Sequence, residues 1–465
     1  MLQIFNTLSK TKEPFSPINS EHVGIYVCGM TVYDFCHMGH ARVLVMFDII
    51  TRHLRRQFPK VTYVRNITDI DDKIIKRAIE NGESIDQLTN RFIEAMHEDE
   101  KALGILPPDI EPRATESMNE IFYMIETLVE KRIAYQGKSG DVYYSVRKFP
   151  NYGKLSGKNL DDLEAGARVD VEDDKDDPLD FVLWKMAKPE EPSWESPWGD
   201  GRPGWHIECS AMSSNHLGNH FDIHGGGMDL KFPHHECELA QARALGHDYA
   251  RYWLHANLLT INGQKMAKSL GNFITLEDAF QTYDPLVLRY FIVAGHYGSV
   301  LDFSDSALQG AETSLQRLQQ TVRTLQRKVP TDFSAPSQHL QQYRKRFCEV
   351  MDDDFSTPQA LAVLFELIHE VHRLLQQENT ATEVFADALN LFQQLAGDVL
   401  GLLPETESTT HSPELLEQTI KLLLELRRDF RQQKDFARAD LIRQRLQELG
   451  IELQDSKDGT TWEIS

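Results

Sequence analysis

Apolar residues follow two rhythms along the first third of the chain, and the change of rhythm predicts the elements. Val23, Ile25 and Val27 alternate with Gly24 and Tyr26, the period-2 pattern of a strand. Beyond a loop, Val43, Phe47, Ile50 and Leu54 recur at helical spacing and leave Arg52, Arg55 and Arg56 for solvent. Val61 to Ile67 predicts a second strand, and after Thr68-Asp69-Ile70-Asp71-Asp72-Lys73 a helix ends at Asn81-Gly82. Ser84, with Gln87 three residues on, opens the next helix as a capping box, and Leu106-Pro107-Pro108 stops it. Strand, helix, strand, helix is the order of a doubly wound α/β sheet.

Further along, Asp141 to Val146 reads as a short strand after the turn-rich Gly137 to Gly140, and Asp170 to Asp180 as a solvated acidic loop. The region from Ala134 to Pro192 looks inserted between two halves of the α/β domain. Phe221 to His224 predicts a strand running into Gly225-Gly226-Gly227, where a ligand can approach the backbone closely. A helix starting near Pro233 puts His234 and Glu238 one above the other at i, i+4. That spacing suits two ligands of one metal and equally an ordinary surface pair, with His235, Glu236 and Cys237 as rivals. Leu315, Leu318, Val322 and Leu325 form the stripe of a helical bundle core. Glu405 to Ser412 reads as a linker, and Leu415 to Leu449 as a helix with a local basic excess from Arg427, Arg428, Arg431, Lys434, Arg438, Arg443 and Arg445. The chain has no internal repeats.

Composition narrows the class. At 41% hydrophobic and 26% charged residues over 465 positions, the chain is ordinary for a globular protein of two to four domains. The N-terminus lacks a signal-like apolar core, and the most apolar run, Val43 to Ile50, is broken by Asp48 and too short for a bilayer. A cytoplasmic protein with no membrane partner is expected. Five scattered cysteines make a poor disulfide framework; each reads first as a small buried hydrophobe, with metal ligation competing for a subset. A net charge of −22 disfavours nonspecific nucleic-acid binding but leaves a shaped RNA partner open.

Two loops carry candidate chemistry. His37-Met38-Gly39-His40 sits between a strand end and a helix N-terminus, where backbone N–H groups and the helix dipole favour phosphates. Its two imidazoles share one side of a helical turn and can donate to phosphate oxygens, and Gly39 lets a flat base lie against the backbone. The bland alternative is a pair of capping or core histidines. Gly263 to Asn272 is a basic, glycine-flanked loop whose Lys265 and Lys268 could fold over a triphosphate, or be merely a surface loop.

These residues resemble the class I aminoacyl-tRNA synthetases and, more closely, the bacterial cysteinyl-tRNA synthetase family. His37 to His40 resembles the class I HIGH element and Lys265 to Ser269 its KMSKS element. GRPGWHIECSAM (Gly201 to Met212) and HGGGMDLKFPHHE (His224 to Glu236) look like stretches particular to the cysteine enzymes, and the similarity runs to the tail GTTW ending at Trp462. The fold implied is a Rossmann-like doubly wound parallel catalytic domain with an inserted connective domain, a C-terminal helical bundle and a small mixed α/β anticodon-binding tail. The divisions expected are 1–133 and 193–260 for the two catalytic halves, 134–192 for the insert, 261–310 for the KMSKS-like and stem-contact region, 311–404 for the tRNA-binding bundle and 413–465 for the anticodon domain.

The resemblance implies a monomeric ligase that activates L-cysteine with ATP and passes it to tRNA(Cys). One Zn²⁺ per chain, on Cys28, Cys209, His234 and Glu238, would select the substrate thiol, and Mg²⁺ would accompany ATP. It assigns His37, Gly39 and His40 to ATP, and Lys265 and Lys268 to the departing phosphates. Thr68, Trp205, His224 and Asp229 would line the cysteine pocket, with Asp229 toward the ammonium, and Arg427, Arg431 and Trp462 would meet tRNA. Ala267 replaces the family's usual serine, and Cys237 its usual asparagine, which places a spare thiol beside the ligands. A mycothiol-pathway cysteine ligase, which lacks such a tail, and a non-catalytic tRNA-binding paralogue are the alternatives; the tail from Leu415 to Trp462 and the intact His37, His40, Lys265 and Lys268 weigh against them.

Overall fold

At the centre lies a sheet whose strands come from both halves of the chain. The computed structural model describes residues 1–160, 174–189, 191–267, 270–330, 340–377, 380–403, 413–448, 451–456 and 459–464. Lys268, residues 170–173 of the acidic stretch and the 405–412 linker lie outside the described residues. The chain divides into two units, Met1–Leu403 and Pro404–Ser465.

In the first unit a hairpin of β1 (Gln3–Asn6) and β2 (Thr11–Pro14) leads to β3 (His22–Val27), α1 (Met38–Gln57), β4 (Lys60–Arg65), α2 (Asp72–Asn81), α3 (Ile85–Ala102) and α4 (Met118–Glu130). The local stop signals act as expected: Gly82 caps α2 at φ 68°, and Ser84 and Gln87 form the reciprocal capping box of α3. An antiparallel sheet follows, of β5 (Ala134–Gln136), β6 (Val142–Tyr144), β7 (Phe181–Met186) and β8 (Gly201–Pro203). Its last strand lies beyond the expected insert boundary at 192. Its core is shared with α4 through Ile121 and Ile125, so the inserted layer is bonded into its surroundings rather than separate.

The chain then returns through α5 (Trp205–Leu217), β9 (His220–Gly227), α6 (Glu236–Leu245) and β10 (Tyr249–Ala256). The four parallel strands stand in the order β10–β9–β3–β4. Ile25 pairs with both Tyr63 of β4 and Ile223 of β9. Winding therefore reverses between β3 and β9, and ligand crevices in such sheets open beyond the C-terminal strand ends at that reversal. The next residue after β3 is Cys28, whose N–H bonds Gly225 O across the reversal at 3.1 Å.

Beyond the sheet come β11 (Leu259–Ile261), β12 (Gln264–Lys265), α7 (Leu276–Thr282), α8 (Pro285–Val293) and β13 (Leu301–Phe303). The bundle of α9 (Asp305–Lys328), α10 (Gln341–Met351), α11 (Thr357–Leu375) and α12 (Thr382–Phe392) completes this unit. As the spacing predicts, Leu315, Leu318, Val322 and Leu325 are buried in its core. The second unit holds α13 (Pro413–Gln432), α14 (Phe436–Glu448) and the hairpin of β14 (Ile451–Ser456) and β15 (Gly459–Ile464). The single helix expected across Leu415 to Leu449 is thus two, because Lys434 takes φ 60° and ends the first. Among the described residues no helix is long and apolar enough to cross a membrane.

Candidate metal and nucleotide site

Four side chains from three segments converge at the sheet reversal. Cys28 leaves the end of β3, Cys209 sits in α5, and His234 and Glu238 flank the start of α6. One donor atom from each lies within 4.8 Å of the others, and all four residues are buried. Glu238 Oε1 is 3.3 Å from Cys28 Sγ and 3.2 Å from His234 Nε2. Donors around a tetrahedral ion with bonds of 2.0–2.3 Å stand about 3.3–3.8 Å apart, so this donor set fits zinc in kind and in spacing. A second quartet, Cys28, His224, His235 and Glu238, shares two members with it. There, however, His224 Nε2 already bonds Glu238 Oε2 at 2.9 Å, and His235 Nδ1 pairs with His255 Nε2 at 2.9 Å.

The electrostatics favour the first set. Burial opposes ionisation of Cys209, but its bonds with Cys28 and His234 bring the thiol down to about 6, while burial and Cys209 push Cys28 up. Burial likewise opposes the Glu238 carboxylate, yet the charges of His224 and His234, with bonds from His224 and Tyr249, hold it at about 2. Glu238 Oε2 receives the Tyr249 hydroxyl at 2.9 Å, so His224 and Tyr249 together turn Oε1 toward the other donors. His234 Nδ1 lies 2.9 Å from Nδ1 of His206, a ring that burial keeps neutral by lowering it to about 3. An ion on His234 Nε2 requires the proton on Nδ1, and His206 is placed to accept it. Asn66 Oδ1 accepts from Gly29 N–H at 2.9 Å and from Cys209 Sγ at 3.6 Å.

The expected pocket residues fall around this cluster in different ways. Trp205 is 36% exposed and stacks over the His234 ring at 4.2 Å, forming a wall. Thr68 is buried beside Asn66, whose Nδ2 donates to its Oγ1 at 3.3 Å. Asp229 is exposed just past β9, and a Cβ on Gly227 would come within 2.4 Å of its Oδ1, so that glycine makes room for it. His224 is fully buried, stacks on Trp253 at 4.4 Å and holds Glu238, so it orients a donor instead of presenting an open wall. Gly225 faces Phe47 and Gly226 faces His235, so these glycines admit the protein's own rings. Cys237 is buried with Sγ 3.2 Å from the Tyr152 hydroxyl, facing the inserted layer and away from the four donors.

At the start of α1 the histidines are the helix cap and a donor pair at once. His37 Nδ1 accepts from Gly39 N at 3.1 Å and His40 N at 3.3 Å, while His40 Nδ1 accepts from His37 N at 3.3 Å. This is a capping box built from imidazoles, with the rings stacked 3.6 Å apart. A backbone N–H can only donate, so each neutral ring carries its proton on Nε2. Burial, then the neighbouring His37, holds the His40 pKa well below the ordinary value. Gly39 is required because a Cβ there would meet the His37 ring at 2.9 Å.

The lysine segment is laced to this cap. Met38 N bonds Ile274 O at 3.2 Å, Leu276 N bonds Cys36 O at 2.8 Å, and His37 meets Phe273 edge to face at 5.0 Å. Asn272 spans the loop, its Oδ1 accepting from Ala267 N and its Nδ2 donating to Lys265 O. Lys265 is exposed in β12.

In the second unit Arg431 is exposed and Trp462 is partly buried against the cluster of Ile420, Leu446, Ile451 and Leu453. Arg427 is 2% exposed and directs Nη1 toward Thr460 Oγ1 at 3.4 Å, beneath the hairpin. Asn66, His206 and Tyr249 were not singled out in the sequence, because nothing local marks a residue whose partner is more than ten positions away.

A paired-histidine cap lies beside a lysine segment at the reversal of a parallel sheet, and a family match over most of the chain makes this a class I aminoacyl-tRNA synthetase. The family described as tRNA synthetases class I (C) catalytic domain matches residues 14–313, and the DALR domain matches residues 346–404. The fold is similar to methionyl-tRNA synthetase from Mycobacterium tuberculosis in complex with methionyl-adenylate, with TM-score 0.58 and 14% identity over 82% of this chain and 90% of that one. Within the class, the chain belongs to the cysteine–tRNA ligase family. It is 53% identical to the cysteine–tRNA ligase of Methylococcus capsulatus over 99% of both chains. It is 52% identical to that of Hahella chejuensis over the full length of both.

Proposed function

We infer that this chain joins L-cysteine to tRNA(Cys) at the expense of ATP, with Cys28, Cys209, His234 and Glu238 holding one Zn²⁺. The observation that carries this reading is the buried quartet itself, two thiols, an imidazole and a carboxylate within 4.8 Å. Zinc bound there supplies a soft partner for the substrate thiolate, separating cysteine from serine by bond type where size alone separates them weakly.

The chain's own residues do the rest by placement. Trp205 and Thr68 wall the amino acid, Asp229 meets its ammonium, and His224 with Tyr249 keeps Glu238 turned inward. His37 and His40 offer Nε2–H groups to ATP, Gly39 lets the stacked pair close on the backbone, and Lys265 and Lys268 take up charge on the departing phosphates, a charge that Mg²⁺ arriving with ATP would share. A carboxylate oxygen of cysteine attacks the α-phosphorus and the bond to pyrophosphate breaks. A ribose hydroxyl of the tRNA end then attacks the acyl carbon and AMP leaves. Residues 1–133 and 193–260 carry this chemistry, 134–192 the connective insert, 261–310 the lysine loop, and 311–404 and 413–465 the tRNA contacts, among them Arg431 and Trp462. The chain acts as a monomer, and reduced thiols at the site fit the cytoplasm.

ATP–pyrophosphate exchange with cysteine and with serine, run beside metal analysis, tests the reading. Exchange with cysteine alone and one zinc per chain is expected; no exchange in zinc-replete protein overturns it.

A further inference from the structure

The segment from Asn66 to Asp72 docks on the entry to α5 at three points. Asn66 accepts from Cys209, the Thr68 hydroxyl lies beside the buried Glu208, and Asp72 bonds Arg202, with Lys185 at 3.0 Å on the same carboxylate. Between them, Thr115 fixes Asp69 through its hydroxyl at 2.6 Å and its N–H at 3.0 Å. The third contact is unlike the others. It joins the first α-helical turn after β4 to β7 and β8 of the inserted layer, tying together the two bodies between which the amino acid would lie.

We propose that Asp72 and Arg202 are a positioning pair that sets the width of the cysteine pocket, a role that rests on the reading of Thr68 and Trp205 as its walls. Asp72 stands four residues after Thr68, and Arg202 three before Trp205. The Arg202 side chain is 5% exposed, and its other carboxylate neighbour is Glu191 at 3.9 Å. Without the Asp72 charge, the buried guanidinium turns to Glu191 and Lys185 loses its anchor, so the Thr68 segment keeps only its Asn66 and Thr68 contacts and its spacing from the Trp205 side loosens. The Asp72 side chain is 65% exposed, so the pair adds little to global stability, and its loss shows in substrate placement instead.

The test compares Asp72→Asn, Asp72→Glu and Thr68→Ala in pyrophosphate exchange, with zinc content measured on each. Asp72→Asn raises KM for cysteine about tenfold and leaves kcat and KM for ATP within about twofold, with zinc retained. Asp72→Glu returns KM to within about threefold of the parent. The pair is partly solvent-exposed, so the parent's KM for cysteine rises with salt while that of Asp72→Asn does not. An unchanged KM in Asp72→Asn beside a raised one in Thr68→Ala overturns the proposal and leaves the pocket reading standing. Unchanged KM in both removes the pocket reading and the proposal with it. A joint fall in kcat, ATP affinity and zinc in Asp72→Asn marks the pair as merely structural and overturns the proposal too.

Discussion

At the mouth of α1 the rings of His37 and His40 give Nδ1 to backbone N–H groups, whereas deep in the cleft His234 turns Nδ1 to another imidazole and Nε2 to Glu238. The residue type is the same, but the partner at Nδ1 decides what Nε2 can do. A donor-only partner leaves a proton on Nε2, fit for anionic oxygens; an acceptor leaves a lone pair there, fit for a cation. The two clusters, built from one residue type, thus present opposite chemistry: ring N–H groups at the first and a lone pair at the second.

If that division holds, substitutions should separate by readout. The largest effect belongs to Cys28→Ser, which should lose the metal and lower cysteine-dependent exchange by more than about a hundredfold, the scale reached when even the supports of a ligand are lost. Metal analysis beside exchange checks both. His37→Ala comes next: it should slow exchange about a hundredfold and weaken the cap by about 1 kcal/mol in urea unfolding, with zinc intact. Zinc loss in that variant would break the division. His206→Ala should do the reverse, lowering zinc affinity about tenfold in chelator competition while KM for ATP stays put.

The smallest effect is on pH. His40 stays neutral in the folded chain because of burial and the adjacent His37, while the unfolded chain protonates near the ordinary 6.5. The depressed pKa means that His40 costs nothing above 6.5 and subtracts stability as pH falls below it. Urea midpoints measured on both sides of that pH should therefore fall less on acidification in His40→Asn than in the parent.

Much of the frame was readable because its signals are local. The Ser84–Gln87 box, Gly82 and the Leu315 to Leu325 stripe each act within one or two helical turns. Family resemblance alone joins Cys28, Cys209, His234 and Glu238 in one set, since the i, i+4 pairing of His234 and Glu238 leaves rivals and gives no hint of Cys28 or Cys209. What escaped was long-range. Tyr249 and His224 meet on one carboxylate only because β9 and β10 are neighbours, and nothing local to Arg427 tells that the hairpin covers it. Gly39 offers room for a base, and the His37 ring itself also needs the space.

The quartet also bears on how the chain is made. Cys28 emerges from the ribosome long before Cys209, His234 and Glu238, and the whole inserted layer is synthesised in between. A polypeptide that stops before residue 209 therefore offers one of the four groups, Cys28. The four groups meet only after the last of these segments has closed on the first, so the closed cluster itself reports that the two halves were assembled correctly.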